Sequence, residues 1–308
     1  MNFRELRAKL MRNHGRFVLF PDDPEVQKVV STRAFTHLVI DDDIVLYAHK
    51  LMEEQLEEEL EENYDVIYEK PMLKGEYYVS PHAKAYNLSF NYKNGAEIFK
   101  EVLKKPFDEE LDIIENFGKS IDERLNEFFS EIRIGMSGVE IKTHLECVFG
   151  SLVDYFAYPT IVAFGEKAKY FTPKTSEYKI PENTIIYVDA WPTYKGYTLN
   201  FSRVLFTVEN REWINALERM NSMYEKLRMH LTPGASCEEI DAIIRSLGNF
   251  PHYSVVPSGG FYMPYAPEKC LMEENMVFTI VPSVYLKDGL IRVKRNVILK
   301  KNGPEFLI

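Results

Sequence analysis

Apolar residues recur at three- and four-residue spacing through two long stretches, Glu109 to Ile132 and Arg211 to Leu231, which predicts two amphipathic helices. Each stretch runs into a short motif of the same form, Gly135-Met-Ser137-Gly-Val-Glu140-Ile141 after the first and Gly234-Ala-Ser236-Cys-Glu-Glu239-Ile240 after the second. A Ser followed three residues later by Glu is the pattern of a capping box, in which hydroxyl and carboxylate satisfy free N–H groups at a helix start, so each motif predicts a further helix. Segments rich in β-branched and aromatic residues follow each predicted helix pair, Tyr158 to Phe206 and Tyr253 to Leu299. Gly-x-Ser-x-x-Glu is a common helix start and by itself also fits chance. The same order of flanking elements, met twice, favours a duplicated domain.

Residues 1 to 105 carry a different pattern. Two short apolar runs, His37 to Ile40 and Ile44 to Tyr47, bracket the acidic turn Asp41-Asp-Asp43 and predict two strands. The Glu-rich stretch Glu53 to Glu62 follows, with Leu51, Leu56 and Leu60 as one apolar stripe, and another strand is predicted from Asp65 to Tyr68. Lys104-Lys-Pro106-Phe-Asp108 marks the boundary, since proline ends a helix and Asp favours the start of the next. The expectation is a smaller amino-terminal α/β domain over 1–105 and a larger domain over 106–308, α+β in class.

Composition narrows the function classes. A chain of 308 residues with 45% hydrophobic residues can bury two cores. A net charge of −10 and a pI near 5.4 argue against phosphate-backbone binding, which needs a clustered basic surface, so no nucleic-acid partner is expected. The acidic run at Glu53 to Glu62 reads as a solvated helix face, with docking of a basic partner as the minority alternative. No apolar run approaches the roughly 18 residues of a membrane span, and Arg4, Glu5, Arg7 and Lys9 make the start of the chain unlike a signal peptide. A cytoplasmic protein is expected. Cys147, Cys237 and Cys270 are odd in number and widely spaced, which favours free thiols over a disulfide framework or a zinc knuckle. Ser258 lacks the strand-turn-helix setting of a nucleophile elbow, and Gly165-Glu-Lys-Ala-Lys lacks the glycines of a phosphate loop.

Four separated segments carry chemistry. Tyr187-Val-Asp189-Ala-Trp-Pro-Thr-Tyr-Lys-Gly196-Tyr197-Thr-Leu-Asn200-Phe-Ser-Arg203 resembles the metal-binding hairpin of the creatinase, Xaa-Pro dipeptidase and methionine aminopeptidase superfamily. Asn275 to Tyr285 is similar to that family's strand Gly-Met-Val-Phe-Thr-Ile-Glu-Pro-Gly-Ile-Tyr, and Ile291 to Gly303 resembles its final hairpin. Val255 to Phe261 falls where the family carries a Gly-His-Gly-Ile-Gly loop. The resemblance implies a duplicated pita-bread domain and, in active members, two divalent metal ions such as Mn or Co held by five ligands. Of those five positions only Asp189 keeps its acid; the others hold Asn200, Gly259, Val281 and Lys294. Phe156 to Gly165 resembles the family strand ahead of a substrate-binding His, but the nearby positions are Tyr170, Phe171 and Thr172. Ahead of Pro267 the loop also offers no counterpart to the family's second His.

Two divalent ions about 4 Å apart need bridging carboxylates to offset their repulsion while they acidify a shared water. One Asp does not supply this. Asn200 brings a neutral carbonyl oxygen, Gly259 and Val281 bring no side-chain ligand, and the Lys294 ammonium would repel an incoming cation. Lys294 is therefore expected to replace the metal by pairing with Asp189. Creatinases work without metal through a His, which the Gly259 position does not supply. The expectation is a catalytically degenerate relative of Xaa-Pro dipeptidase, without cofactor, that keeps its cleft for a peptide or protein ligand; the resemblance also implies a homodimer. Trp191, Tyr194, Tyr197, Phe261, Tyr262 and Tyr265 are the candidate cleft-lining residues, with core or loop packing as the competing reading. His252 is read as structural or exposed rather than catalytic. The alternative is an active Xaa-Pro metallopeptidase recruiting Glu268, Glu273 or Asp288 as ligands.

Overall fold

The computed structural model describes every residue except Met1, Phe171, Thr172, Pro264 and Pro267, and the side chain of Tyr86. The chain divides into two compact units: Met1–Glu110 joined by Gly260–Tyr262, and Leu111–Gly259 with Met263–Ile308. No helix among the described residues is long and apolar enough to cross a membrane.

The first unit is built on a six-stranded sheet with helices α1 (Phe3–His14), α2 (Glu53–Glu59) and α3 (Ala96–Val102). Its strands β1 (Phe17–Leu19), β2 (His37–Ile40), β3 (Ile44–Tyr47), β4 (Asp65–Ile67), β5 (Glu76–Val79) and β6 (Asn91–Asn94) lie in the order β4-β3-β2-β1-β5-β6. The runs read from the sequence are β2 and β3, antiparallel, with Asp41 N–H donating to the Asp43 carbonyl at 2.9 Å in the turn. Side chains alternate across the sheet: Phe17, Leu19, Leu38 and Ile40 pack with Ala8, Met11, Phe99 and Val102, while Val18 and Val39 join Phe20 and Tyr77. The expected stripe on α2 is only partly formed. Leu56 is 3% exposed, but Leu51 is 89% exposed. Leu51 lies in the tighter turn Lys50–Met52 ahead of the helix, whose three-residue period takes it out of register with the α-helical face.

Helices α4 (Asp108–Glu131), α5 (Gly138–Phe149), α6 (Arg211–His230) and α7 (Cys237–Arg245) carry the two predicted helix pairs. Ser137 and Glu140 form the reciprocal capping box at α5. At α7 the Ser236 hydroxyl accepts from Glu238 N–H at 3.2 Å, so the second motif caps through the hydroxyl alone. After the first pair come β7 (Tyr155–Phe156), β8 (Ile161–Phe164), β9 (Ile185–Ala190), β10 (Pro192–Tyr194), β11 (Tyr197–Thr198) and β12 (Phe201–Phe206). The second pair leads to β13 (Val255–Pro257), β14 (Val277–Ile280), β15 (Val284–Leu286), β16 (Gly289–Ile291), β17 (Arg295–Lys300) and β18 (Gly303–Leu307).

The halves correspond in their helix pairs, their three-strand centres and their inserted hairpins, while β7 beside β10 and β18 beside β17 have no counterpart. Central strand β9 is flanked antiparallel by β8 and β12, and central strand β14 by β13 and β17; the small hairpins β10/β11 and β15/β16 are inserted at the same points. Ahead of the helices Gly135 and Gly234 take φ of 98° and 93°, a backbone region open to glycine. Ser137 and Ser236, two residues on, each make an isolated antiparallel bridge, to Lys179 and Leu271. Chance recurrence of a helix-start motif does not produce matching strand order and matching bridges. The larger core joins α6 and α7 to the second sheet through Trp213, Met220, Leu227, Ile240, Phe278, Ile280 and Val297.

Cysteine pairing departs from expectation. Cys237 and Cys270 form a disulfide with a Cα–Cα distance of 5.3 Å, and Cys147 is the free thiol. The partners lie 33 residues apart, and only the fold, which returns residue 270 to the start of α7, brings them together. Thiol titration of the unfolded, unreduced protein should therefore find one reactive Cys, rising to three after reduction; three without reductant would remove the disulfide from the native state.

Candidate functional site

Segments from the two halves meet in the second unit, Asn200 to Arg203 against Arg292 to Asn296, and a polar seam ties them together. The Asn296 side chain accepts from Asn200 N–H at 3.1 Å and donates to the Asn200 carbonyl at 3.0 Å. Its oxygen also accepts from Ser258 Oγ at 2.8 Å and Thr279 Oγ1 at 2.9 Å. Ser202 Oγ donates to the Arg292 carbonyl and accepts from Lys294 N–H, each at 3.1 Å. Arg203 donates to the Lys294 carbonyl at 3.0 Å. Burial makes these bonds matter, since each seam group would otherwise be a polar atom without a partner.

The seam delivers Lys294, just ahead of β17, to Asp189 on β9. Lys294 Nζ donates to Asp189 Oδ2 at 2.6 Å and to Asn200 Oδ1 at 3.2 Å, with relative exposures of 5% for the lysine and 4% for the aspartate. Tyr187, two residues before Asp189 and on the same strand face, donates its hydroxyl to the same carboxylate oxygen. Asp189 Oδ1 is buried without a hydrogen-bond partner. Burial pulls the Lys294 pKa below the usual lysine value, Asp189 opposes that pull, and Arg292 adds to it. Burial first, and then the Asp189 charge, push the Tyr187 phenol well above its usual pKa, so it remains a donor. The Lys294 ammonium also lies over the Trp191 ring, 5.0 Å from its centroid.

The remaining candidates separate. Val281 is 7% exposed and brings only its backbone, donating N–H to the Ser254 carbonyl at 2.8 Å. Gly259 takes φ of 65° and donates N–H to the Thr198 carbonyl at 2.9 Å. Trp191 is half-buried with Tyr158 edge-on at 4.8 Å, and Tyr265 is 40% exposed against Tyr253 at 4.7 Å. Tyr197 is fully buried in the core, and the Tyr194 ring packs on Phe117 of α4 at 5.6 Å. Phe261 and Tyr262 serve the first unit. Phe261 is 2% exposed beneath the Lys28 ammonium at 4.7 Å, and Tyr262 donates its hydroxyl to Glu25 at 2.6 Å and its N–H to the Leu103 carbonyl at 2.8 Å. These four side chains are therefore occupied in packing, which spacing along the chain does not reveal. Phe171, Thr172 and Pro267, which entered the comparison with family histidines, lie outside the described residues.

Residues 112–301 match metallopeptidase family M24. The chain belongs to this family. An uncharacterized peptidase of Methanocaldococcus jannaschii is 25% identical over 70% of this chain and 67% of its own length. An uncharacterized peptidase of Staphylococcus epidermidis is 20% identical over 80% and 75%. In three dimensions the chain is similar to a prolidase from Pyrococcus horikoshii, with TM-score 0.85 and 19% identity over 98% of this chain and 97% of that one. An X-Pro aminopeptidase from Thermotoga maritima gives TM-score 0.84 and 18% identity over the same shares. The M24 pita-bread fold, α+β in class, is thereby established.

An M24 two-metal centre does not fit the residues found here. Asp189 is the single carboxylate, Asn200 Oδ1 is neutral, and an ammonium already donates to both. Among the described residues no three His, Cys, Asp or Glu side chains are grouped as a metal site requires, so Glu268, Glu273 and Asp288 do not complete another ligand set. Asp288 instead accepts from Trp213 Nε1 at 3.1 Å.

Reading by ligand position misses a second polar row in this M24 domain. Arg292 donates Nε–H to Ser283 Oγ at 2.8 Å and its terminal nitrogens to Tyr285 Oη at 3.1 Å and Tyr187 Oη at 3.4 Å. Ser283 Oγ also meets His252 Nε2 at 3.0 Å, while His252 Nδ1 lies 2.9 Å from the Tyr253 carbonyl. A carbonyl only accepts, so Nδ1 carries the proton and Nε2 accepts from Ser283. Alternation from Ser283 to Tyr285 across the short hairpin was the available signal, but polar residues on a short strand are too common to single out.

Burial holds the His252 pKa down to about 4, with the Arg292, Lys294 and Arg245 charges adding to it and the Tyr253 carbonyl opposing. The unfolded imidazole takes a proton near its usual value of 6.5 while the native one refuses it, so this contribution to stability is full above pH 6.5 and lost as pH falls toward 4. His252→Gln should flatten the fall in urea midpoint across that window; an unchanged pH profile would assign the fall elsewhere. The ion pair gives a second expectation. Lys294→Met leaves Asp189 buried and unpaired and should cost about 3–5 kcal/mol in urea denaturation, with most of that recovered in Asp189→Leu/Lys294→Met. Equal losses in the single and double variants would show that packing, not charge pairing, governs the site.

Proposed function

We propose that this M24 chain is a catalytically degenerate relative of Xaa-Pro dipeptidase, working without metal, whose site binds a peptide or protein segment rather than hydrolysing it. The observation that carries the reading is the Lys294 ammonium 2.6 Å from Asp189 and 3.2 Å from Asn200. A tethered cation uses the oxygen atoms that a divalent ion would need. Hydrolysis in the two-metal manner requires a water acidified between two ions, and neither Val281 nor Gly259 supplies a side chain to hold them. The half-exposed aromatics Trp191 and Tyr265 offer surface to a bound segment. A cytoplasmic setting and a homodimer belong to the same reading.

Membership of a peptidase family supports the competing reading, an active metal-dependent Xaa-Pro peptidase. Protein dialysed against Mn or Co should retain no stoichiometric metal by ICP-MS and should release no proline from Xaa-Pro dipeptides. Stoichiometric metal, with turnover abolished by Asp189→Ala, would overturn the binding-module reading.

A further inference from the structure

The Cys237–Cys270 disulfide sits in a joint that the chain builds twice. In the second half Gly234 N–H donates to the Met272 carbonyl at 2.7 Å, Met272 N–H to the Ala235 carbonyl at 2.8 Å and Cys237 N–H to the Cys270 carbonyl at 3.0 Å. In the first half Ile180 N–H donates to the Met136 carbonyl at 2.8 Å and Gly138 N–H to the Tyr178 carbonyl at 3.4 Å. Together with the bridges at Ser137 and Ser236, these bonds align Gly138 with Cys237 and Tyr178 with Cys270. The first joint therefore closes through its backbone, with no covalent link. It has no room for the pair, since a Cβ at Gly138 would lie 2.6 Å from the Ser176 carbonyl oxygen. The disulfide is an addition to a joint whose counterpart forms without one.

Access differs between the two cysteines. Cys237 is fully buried in the core of the second half, whereas Cys270 is half-buried beside Leu271, which is 61% exposed. Tyr178, at the matching position of the first joint, is 69% exposed, so solvent reaches this position in both halves. Exchange with a thiol depends on which sulfur it can reach. The backbone bonds also hold residues 237 and 270 together independently of the sulfurs, at a Cα–Cα distance of 5.3 Å that suits a disulfide, so the bond can re-form without refolding.

We propose that Cys237 and Cys270 are a reversible redox pair, opened and closed by small thiols while the domain stays folded. A thiolate of a dithiol reductant attacks Cys270 Sγ, the Sγ–Sγ bond breaks with its electron pair leaving on Cys237 Sγ, and a mixed disulfide forms on Cys270. The second thiol of the reductant then attacks its own sulfur in that mixed disulfide and releases Cys270 as a thiolate. The cysteines gain two electrons and, on protonation, two protons, and the dithiol becomes a cyclic disulfide. Cys147, exposed on α5, takes no part. The pair is separate from the Asp189 site, and its chemistry is the same whether or not that site takes metal.

The test uses the intact, folded protein carrying Cys147→Ser, so that only the pair is counted. Thiols alkylated in denaturant and counted by mass should number none before reduction and two after dithiothreitol is applied to the native protein. The near-UV circular dichroism of the folded state should survive that reduction, and glutathione disulfide should return the count to none. In Cys237→Ser the Cys270 thiol should form a mixed disulfide with glutathione disulfide at least about tenfold faster than the Cys237 thiol of Cys270→Ser, the difference that access makes. A disulfide that resists dithiothreitol until urea unfolds the protein, or whose reduction abolishes the near-UV signal, is a structural staple and would overturn the proposal. Two thiols before any reductant would do the same. Equal or reversed rates in the single variants would overturn the order of attack; the reduction of the Cys147→Ser protein requires neither variant and decides whether the pair is redox-active.

Discussion

A single buried ion pair, Asp189 with Lys294, sets the terms for the rest of the site. Each member alone would be a charge withdrawn from water, a cost of several kcal/mol, and each removes that burden from the other. The pairing joins the two halves of the duplicated domain, since Asp189 lies on β9 and Lys294 leads into β17. It also consumes the charge chemistry the scaffold would need for metal. An ammonium satisfies a carboxylate with one positive charge and directed donors, but it neither bridges two oxygens symmetrically nor acidifies a water.

Placement of that pair depends on the seam around Asn200, Ser202 and Asn296. Strand side chains alternate between faces, so a slip of one residue between the two segments would turn Lys294 away from Asp189 and strand both charges. Asn296 guards against the slip by reading both the N–H and the carbonyl of Asn200, while its carbonyl oxygen gathers two hydroxyls from neighbouring segments. The polar seam is therefore a register device, and the ion pair is what the register protects.

Fold and chemistry separate clearly in this chain. The M24 scaffold is retained across both halves, down to matching bridges at Ser137 and Ser236. Function lives in the residues mounted on it. Those residues present one carboxylate and two cations, and Arg292, which has neutral hydroxyls as its hydrogen-bond partners, is the group the metal-centred view leaves unexplained.

The repeated helix pairs, the strand-rich segments that follow them and the absence of an acid or histidine at Asn200, Gly259, Val281 and Lys294 were legible along the chain, because periodicity, helix-start chemistry and side-chain type are local properties. Tertiary structure decided the long-range matters. It placed Cys237 beside Cys270, buried Tyr197, turned Tyr194 onto α4 and gave Phe261 and Tyr262 to the first unit. It also assembled His252, Ser283, Arg292 and Tyr187 into one row, although these residues are spread over more than a hundred positions. The sequence by itself determined that position 294 brings an ammonium rather than a carboxylate; only the fold decided which carboxylate it met, since burial and pairing arise when distant segments pack.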